Sequence, residues 1–334
     1  MLINYEIKES QQKNLLISSG YNSPFQSFEF LEFINLNDRY HADIFAIEDD
    51  NGVLVCSMLI CLQKEEGLKA FFSKRAIVYG GPIILENHEE VRKGLALLLK
   101  ETKKYYNRKA IYLEIRNSLS YEKYSSIFNT EGWSFLEHLN VQLDLKEKSL
   151  NDVLSNMSYN RRREIKLSFK QNAKVNESTD ENEIHQFYKL LKNLYTTRVK
   201  LPLPSESYFQ NMSKTSIGKV FIVSHESNII GGAFTFVDNK SGIYTMYYAG
   251  NRNYHKKIFP THLAIIGAIE FAIANKYKMM DFMGAGKPGV KYGVRDFKLQ
   301  FGGDLVEHGR FINILNPLMY NIGKVGLKIL SKIK

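Results

Sequence analysis

Two stretches of this chain combine residue types that could act on a ligand. The first is Ser155–Lys170, SNMSYNRRREIKLSFK, with Arg161, Arg162 and Arg163 in a row. On a helix, Arg162, Lys166 and Lys170 follow one another at i+4 spacing and form a basic face. Guanidinium forks bind phosphate oxygens well, so phosphate binding is one reading of this run. A solvated helix face beside a domain boundary is the other. The second stretch is Met279–Phe311, MMDFMGAGKPGVKYGVRDFKLQFGGDLVEHGRF. Asp281 falls at the end of a short strand. Gly284, Gly286 and Gly289 let a backbone approach a ligand closely, and Lys287, Lys291, Arg295 and Lys298 add positive charge. Glycines in turns are common, so this pattern marks a candidate site without naming a reaction.

Other chemistries leave no trace. The chain has no G-x-S-x-G elbow, P-loop, H-E-x-x-H motif or Cys/His cluster at zinc spacing. His255 and His262 are two helical turns apart, but Pro260 lies between them and starts a helix. They read as surface or core histidines, so no metal is expected.

Length and composition set the frame. At ~150 residues per domain, 334 residues predict about two domains. A hydrophobic content of 44% with 24% charged residues is ordinary globular composition and excludes wholesale disorder. The net charge of +10 favours an anionic partner such as nucleic acid, nucleotide, phospho-sugar or anionic lipid, or serves solubility alone. The longest near-apolar run, Val53–Leu62, is far short of the roughly 20 residues that span a bilayer. Glu6 stands where a signal peptide needs its apolar centre. Cys56 and Cys61 lie an odd number of positions apart on one strand and face opposite sides, so both are read as free thiols. The expectation is a soluble cytosolic protein.

The elements recur. Asp43–Ile47 and Val53–Leu62 read as strands around an Asn51-Gly52 turn, a strong hairpin signal. A helix over Glu90–Tyr105 follows, with Val91, Leu95, Leu98 and Leu99 on one face, then strands at Ala110–Ile115 and Val141–Leu145. Lys146–Ser149 reads as a boundary. The order then repeats: strands at Val220–Ser224, Ile229–Val237 and Ile243–Gly250, a helix at Thr261–Asn275, and a strand at Lys278–Met283. Meander strands, a helix and a strand, occurring twice, predict two similar α/β domains with mixed sheets. Such a sheet can splay near its middle and admit an extended ligand.

A set of short pieces then occurs in a fixed order. They are MSYNRRREIK, Tyr195-Thr196-Thr197-Arg198, Leu203-Pro204-Ser205, Tyr247-Tyr248-Ala249-Gly250, Asp281-Phe282-Met283-Gly284 and Phe297-Lys298-Leu299-Gln300-Phe301-Gly302-Gly303, with Pro24-Phe25-Gln26-Ser27 near the start. In this the chain resembles the FemAB family, the peptidoglycan-bridge aminoacyltransferases of the GNAT acyltransferase superfamily. The resemblance implies two tandem GNAT-like domains, at 1–150 and 151–311, with a basic amphipathic segment at 312–334 that returns to pack on the first. It implies transfer of an aminoacyl group from aminoacyl-tRNA to an amine of a cell-wall or cell-envelope precursor, with no cofactor. Phe297, Lys298 and Asp281 would form the catalytic group: Lys298 stabilising the oxyanion or a donor phosphate, and Asp281 either orienting the amine or, as a strand-end carboxylate, capping the glycine loop. Arg198, Arg161, Arg162, Tyr248, Gly284, Lys287 and Arg295 would bind substrate. An activated ester or thioester needs no nucleophilic residue, in agreement with the missing nucleophile motif.

Two departures stand out. Family members carry a tryptophan and a lysine after the Gln-Ser pair, near the acceptor's phosphates; here Phe30 and Ile34 take those places. The Gly-rich CoA loop of simple GNAT enzymes is also missing, and NRNYHKKIFP, Asn251–Pro260, stands in its position. Two alternatives therefore stay open: an acyl-CoA-dependent N-acyltransferase acting on an envelope or exopolysaccharide amine, and a non-catalytic phospho-ligand binder. From Leu318 onward, Ile322, Val325, Ile329 and Ile333 share one helical face, and Lys324, Lys328 and Lys332 lie on another. That pattern predicts peripheral contact with the anionic inner face of a membrane, or packing against the body of the protein. No DNA partner is expected.

Overall fold

The computed structural model describes residues 1–65, 73–239 and 241–324. The chain forms two compact units, Met1–His138 with the segment from Glu307 onward, and Leu139–Val306.

The first unit is built on a mixed sheet. Its strands are β1 (Leu2–Asn4), β2 (Tyr40–Glu48), β3 (Leu54–Gln63), β4 (Arg75–Gly80), β5 (Ile83–Ile84), β6 (Tyr112–Asn117) and β7 (Ser134–Leu136). The β2–β3 hairpin turns where Asn51-Gly52 predicts it: Gly52 is at φ 77° and Asp49 Oδ1 accepts from the amides of Asn51 and Val53. Strand β3 is buried along almost its whole length, which is why it reads as a continuous apolar run. Cys56 and Cys61 are free and buried on it. The helix Val91–Tyr106 covers the sheet with Val91, Leu95, Leu98 and Leu99 buried, as their spacing predicts.

The parallel pair β4–β6 holds register over six residues, from Arg75–Tyr112 to Gly80–Asn117, so this sheet stays closed there. Beyond Ile77, the ladder between β3 and β4 is replaced by one side chain. Gln26 donates to the carbonyls of Leu59 (3.3 Å) and Tyr79 (2.8 Å) and accepts from Leu59 N (2.7 Å). Its turn is held by Ser23 and Ser27, which cap successive helical segments. Phe30 and Ile34, on the helix Phe28–Asn35, are core residues at 2% and 1% exposure.

The second unit's strands are β8 (Asn140–Asp144), β9 (Lys174–Glu177), β10 (Gly218–His225), β11 (Asn228–Val237), β12 (Gly242–Gly250), β13 (Met279–Gly284) and β14 (Asp304–Val306), in spatial order β14-β8-β13-β12-β11-β10-β9. The apolar helix Pro260–Ala274 packs on this sheet with Leu263, Ile265, Ile266 and Ile269 buried. A final strand, β15 (Arg310–Ile314), pairs with β6 and β7 and so belongs to the first unit.

The unit boundaries correct the expected ones. The division falls between His138 and Leu139 and again between Val306 and Glu307, not at 150 and 311. Val141 and Leu143 of β8 are buried in the second core, which draws this strand into the second unit. Lys146–Ser149 is a polar turn within it; Ser149 opens the helix Leu150–Asn156 through a capping box with Asp152. The C-terminal residues Val325, Lys328, Ile329, Lys332 and Ile333 lie outside the described residues; the chain is helical over 317–324. No described helix is long and apolar enough to cross a membrane.

Candidate active site

The second sheet opens between its parallel strands. β12 and β13 are paired at only three positions, Gly242–Met279, Ile243–Met280 and Tyr244–Asp281. Beyond them β12 stays with β11 as far as Gly250, while β13 stays with β8, its partner from Met279–Asp144 to Gly284–Asn140. A bulge accompanies the divergence. Phe234 faces Tyr247 but Thr235 faces Thr245, so Met246 is the extra residue and Tyr247 and Tyr248 are re-aimed relative to the lower half of the strand. The splay inferred from element order is therefore present, in the second unit.

Asp281 sits at the last position where β13 pairs with β12 and is fully buried. Its carboxylate accepts from Asn140 Nδ2 (3.1 Å), Gln142 Nε2 (3.0 Å) and the amide of Met283 (2.5 Å). Burial pushes its pKa up, and these donors oppose that. Met283 adopts φ 60°, unusual for a residue with a Cβ, and the ladder to β8 skips between Asp281 and Gly284. The Asp281–Met283 bond stabilises that kink.

The kink presents two carbonyls to Lys298. Nζ donates to Gly284 O (2.7 Å) and Met283 O (3.2 Å), and the residue is 4% exposed. Burial lowers its pKa to about 8, against the opposing charge of Asp281. An ammonium has three donors, so one N–H of Lys298 is left without a partner among the described residues.

Phe297 lies in an aromatic stack. Its ring is 5.7 Å from that of Tyr248 at 17°, and the Arg161 guanidinium lies 4.6 Å from the Phe297 ring and 4.5 Å from the Phe301 ring. Arg161 is 2% exposed and donates to Gln300 Oε1 at 2.8 Å, while its Nε and Nη1 have no hydrogen-bond partner. His262, at the start of the helix Pro260–Ala274, stacks on Phe259 at 5.3 Å and 5°. Burial, with Arg161 and Arg252 nearby, drives its pKa down to about 3, so it is neutral at physiological pH. Burial, together with Tyr292 and Tyr195, raises the Tyr248 hydroxyl pKa.

The remaining expected residues divide. Arg295 folds onto its own loop: Nε donates to Ala285 O (2.9 Å), Nη1 to Val290 O (3.1 Å), and Nη2 to Lys287 O. It shapes the glycine loop, where Gly286 (φ 78°) and Gly289 (φ 69°) take conformations that side chains disfavour. Lys287 is exposed on that loop. Arg198 is exposed on a π-helical turn, Tyr195–Val199, a rare conformation that ends the helix Glu181–Leu194. Tyr195 of this turn approaches Tyr247, with ring centroids 6.0 Å apart. Arg162 donates Nη1 to Ser155 O (2.6 Å) and takes no part in the aromatic stack. The residues around Asp281 that sequence reasoning missed are Asn140 and Gln142. Their spacing of two on an alternating strand places them on one face and was the available signal. Among the described residues no group of three or more His, Cys, Asp or Glu side chains could hold a metal ion.

Residues 155–298 match the family model described as an acetyltransferase (GNAT) domain. The whole chain is similar in fold to FemX, with a TM-score of 0.74 at 15% identity over 96% of this chain and 99% of that one. It is similar to L-PGS from Bacillus licheniformis, with a TM-score of 0.58 at 12% identity over 97% and 98% of the two chains. A tandem GNAT protein from the clavulanic acid biosynthesis pathway matches at a TM-score of 0.56 and 9% identity, over 95% and 99%. No curated protein matches by sequence. The fold is therefore that of tandem GNAT proteins, mixed α/β with two mixed sheets, as the sequence resemblance implies.

Proposed function

We propose that the second unit is an N-acyltransferase that takes an aminoacyl group from aminoacyl-tRNA and delivers it to an amine of a cell-envelope precursor. The observation that carries this reading is Lys298, a buried ammonium with one unused N–H at the edge of a splayed sheet. An oxyanion that develops on the acyl carbonyl would accept that N–H, the type of contact worth ~10²–10³ in rate. The amine nitrogen bonds to the carbonyl carbon, the ester C–O bond breaks, and the proton lost by the amine ends on the leaving ribose oxygen. Phe297, in contact with both the Tyr248 ring and the Arg161 guanidinium, fixes the lysine next to it. Asp281 acts on the reaction by holding the Met283 turn that aims two carbonyls at Lys298.

The donor preference rests on the start of the helix Pro260–Ala274. A pyrophosphate binds at a helix start through free backbone amides. Pro260 has none, the amide of His262 donates to Phe259 O and that of Leu263 makes the ordinary first helical bond, so of this turn only the Thr261 amide is open. That favours a donor other than CoA. The match to an acetyltransferase domain model favours the acyl-CoA reading instead. Phe30 and Ile34 are buried in the first core, so the acceptor would be gripped by residues elsewhere.

The test is a donor titration. Purified protein is mixed with radiolabelled aminoacyl-tRNA and, separately, with acetyl-CoA, at low and moderate salt, with and without envelope-precursor extract. Acceptor-dependent loss of label from tRNA supports the proposal. Turnover of acetyl-CoA alone replaces it with the acyl-CoA reading, and binding without turnover of either donor leaves a phospho-ligand binder.

A further inference from the structure

The basic run is split by the fold into two functions. Arg161 turns inward to the aromatic stack. On the outer face of the same helix, Tyr159–Lys170, lies a groove of about 610 Å³ shared with the helix Leu150–Asn156. Its cations are Arg162, Arg163, Lys166 and Lys170. Its floor is apolar, from Leu154 and Leu167, and Tyr159 stands at its rim 71% exposed.

The charges in this groove are uncompensated. The two helices carry only two carboxylates. Asp152 caps the amide and hydroxyl of Ser149, and Glu164 faces Arg161 (4.0 Å) and His262 (3.4 Å). Arg163, Lys166 and Lys170 make no ion pair or hydrogen bond among the described residues. Arg162 ties the two helices together through Ser155 O, so the groove is a built feature. Arg162, Lys166 and Lys170 succeed one another at roughly 6 Å along the axis, close to the spacing of neighbouring phosphates on a nucleic-acid strand.

We infer that this groove is a docking surface for the phosphate backbone of RNA, away from the Lys298 centre, and that Tyr159 offers a ring to an unpaired base. The inference rests on the proposed tRNA donor and extends it to a second contact. It separates body recognition from recognition of the reacting end: the groove holds the RNA, and the splayed sheet holds the acyl ester.

The test uses the full chain and the variant Arg163→Ala/Lys166→Ala/Lys170→Ala, which keeps Arg162 and removes only exposed side chains. Binding of tRNA is followed by fluorescence anisotropy across a salt series, and binding of a 3′-aminoacyl-adenosine fragment by calorimetry. The expected result is a tRNA affinity lower by about tenfold or more at low salt, and a salt slope shallower by about 2–3, with fragment binding and melting temperature unchanged. Unchanged tRNA affinity and slope in the variant would overturn the inference while leaving the donor reading intact if the fragment still binds. Loss of tRNA binding in the variant, with no fragment binding to either protein, would keep the groove and overturn the donor reading. Phosphatidylglycerol vesicles form the third arm. If the variant loses vesicle binding and keeps RNA binding, the groove is a lipid surface and the inference fails.

Discussion

Tyr244 and Asp281 are the last residues through which β12 and β13 are joined. Everything that distinguishes the second unit as a candidate active site lies at or beyond that pair. The corresponding parallel pair of the first unit, β4 and β6, runs on without a break, and Gln26 fills the neighbouring gap in its sheet. One unit therefore has an open sheet with a buried lysine, and the other has a closed sheet held together by an amide side chain.

Lys298→Met keeps the length and bulk of the side chain but removes the ammonium. Acyl transfer should fall by ~10²–10³, with the protein still folded. In the unaltered protein, transfer should decline as pH rises through about 8, where Lys298 loses its proton. Stability should move the other way. The folded value lies below that of an unfolded lysine, ~10.4, so between the two the unfolded chain binds more protons and stability rises with pH. Urea midpoints across that window should rise in the unaltered protein and lose this rise in the methionine variant.

Asp281→Asn puts an amide among three donors, from Asn140, Gln142 and Met283. At least one donor is left facing another N–H, a loss of ~1–3 kcal/mol by denaturant unfolding. The variant also removes the charge that holds the Lys298 pKa up, so the alkaline limb of the pH–rate profile should shift to lower pH. A purely structural role for Asp281 would lower stability and leave that limb in place.

Arg161→Lys exchanges a planar group for a point charge. The stack with Phe297 and Phe301 and the bond to Gln300 both depend on the guanidinium. The expected cost is ~1–2 kcal/mol in stability, with a fall in kcat larger than any change in KM, because Phe297 is released next to Lys298. Equal kcat in the two proteins would remove Arg161 from the positioning of the site.

Gly286→Ala tests the loop that Arg295 holds. The backbone at φ 78° disfavours a side chain, and the new methyl would stand 3.0 Å from the Tyr292 ring. Donor affinity should weaken with little change in melting temperature, since the loop is outside the core. An unaffected donor titration would separate the glycine loop from ligand binding.

Gln26→Leu is the control in the first unit. It leaves Leu59 N, Leu59 O and Tyr79 O without their partner. Unfolding should be easier by about 2 kcal/mol or more, while transfer per folded molecule stays the same.

The local pattern determined much of this protein. Alternation and helical spacing located the β2–β3 hairpin, the helix Val91–Tyr106, the strands β10 to β13 and the helix Pro260–Ala274, because these segments carry their burial in their own periodicity. The short edge strands β7, β9 and β14 were not legible. At three or four mostly exposed residues each they are too short to carry a burial alternation, and they exist only through pairing with distant partners. The division into units was misplaced for the same kind of reason: β15 joins β6 across a long sequence separation, and no local feature of Arg310–Ile314 announces that partner. Residue types marked Asp281, Lys298 and the basic run as candidates. Only tertiary structure decided that Arg161 is enclosed by phenylalanines while Arg163 stays in solvent, that Arg295 serves its own loop, and that Lys298 retains a free donor. Charge and spacing are written along the chain, but burial and hydrogen-bond use are fixed by segments far apart in sequence, and those two quantities decide what a charged side chain can do.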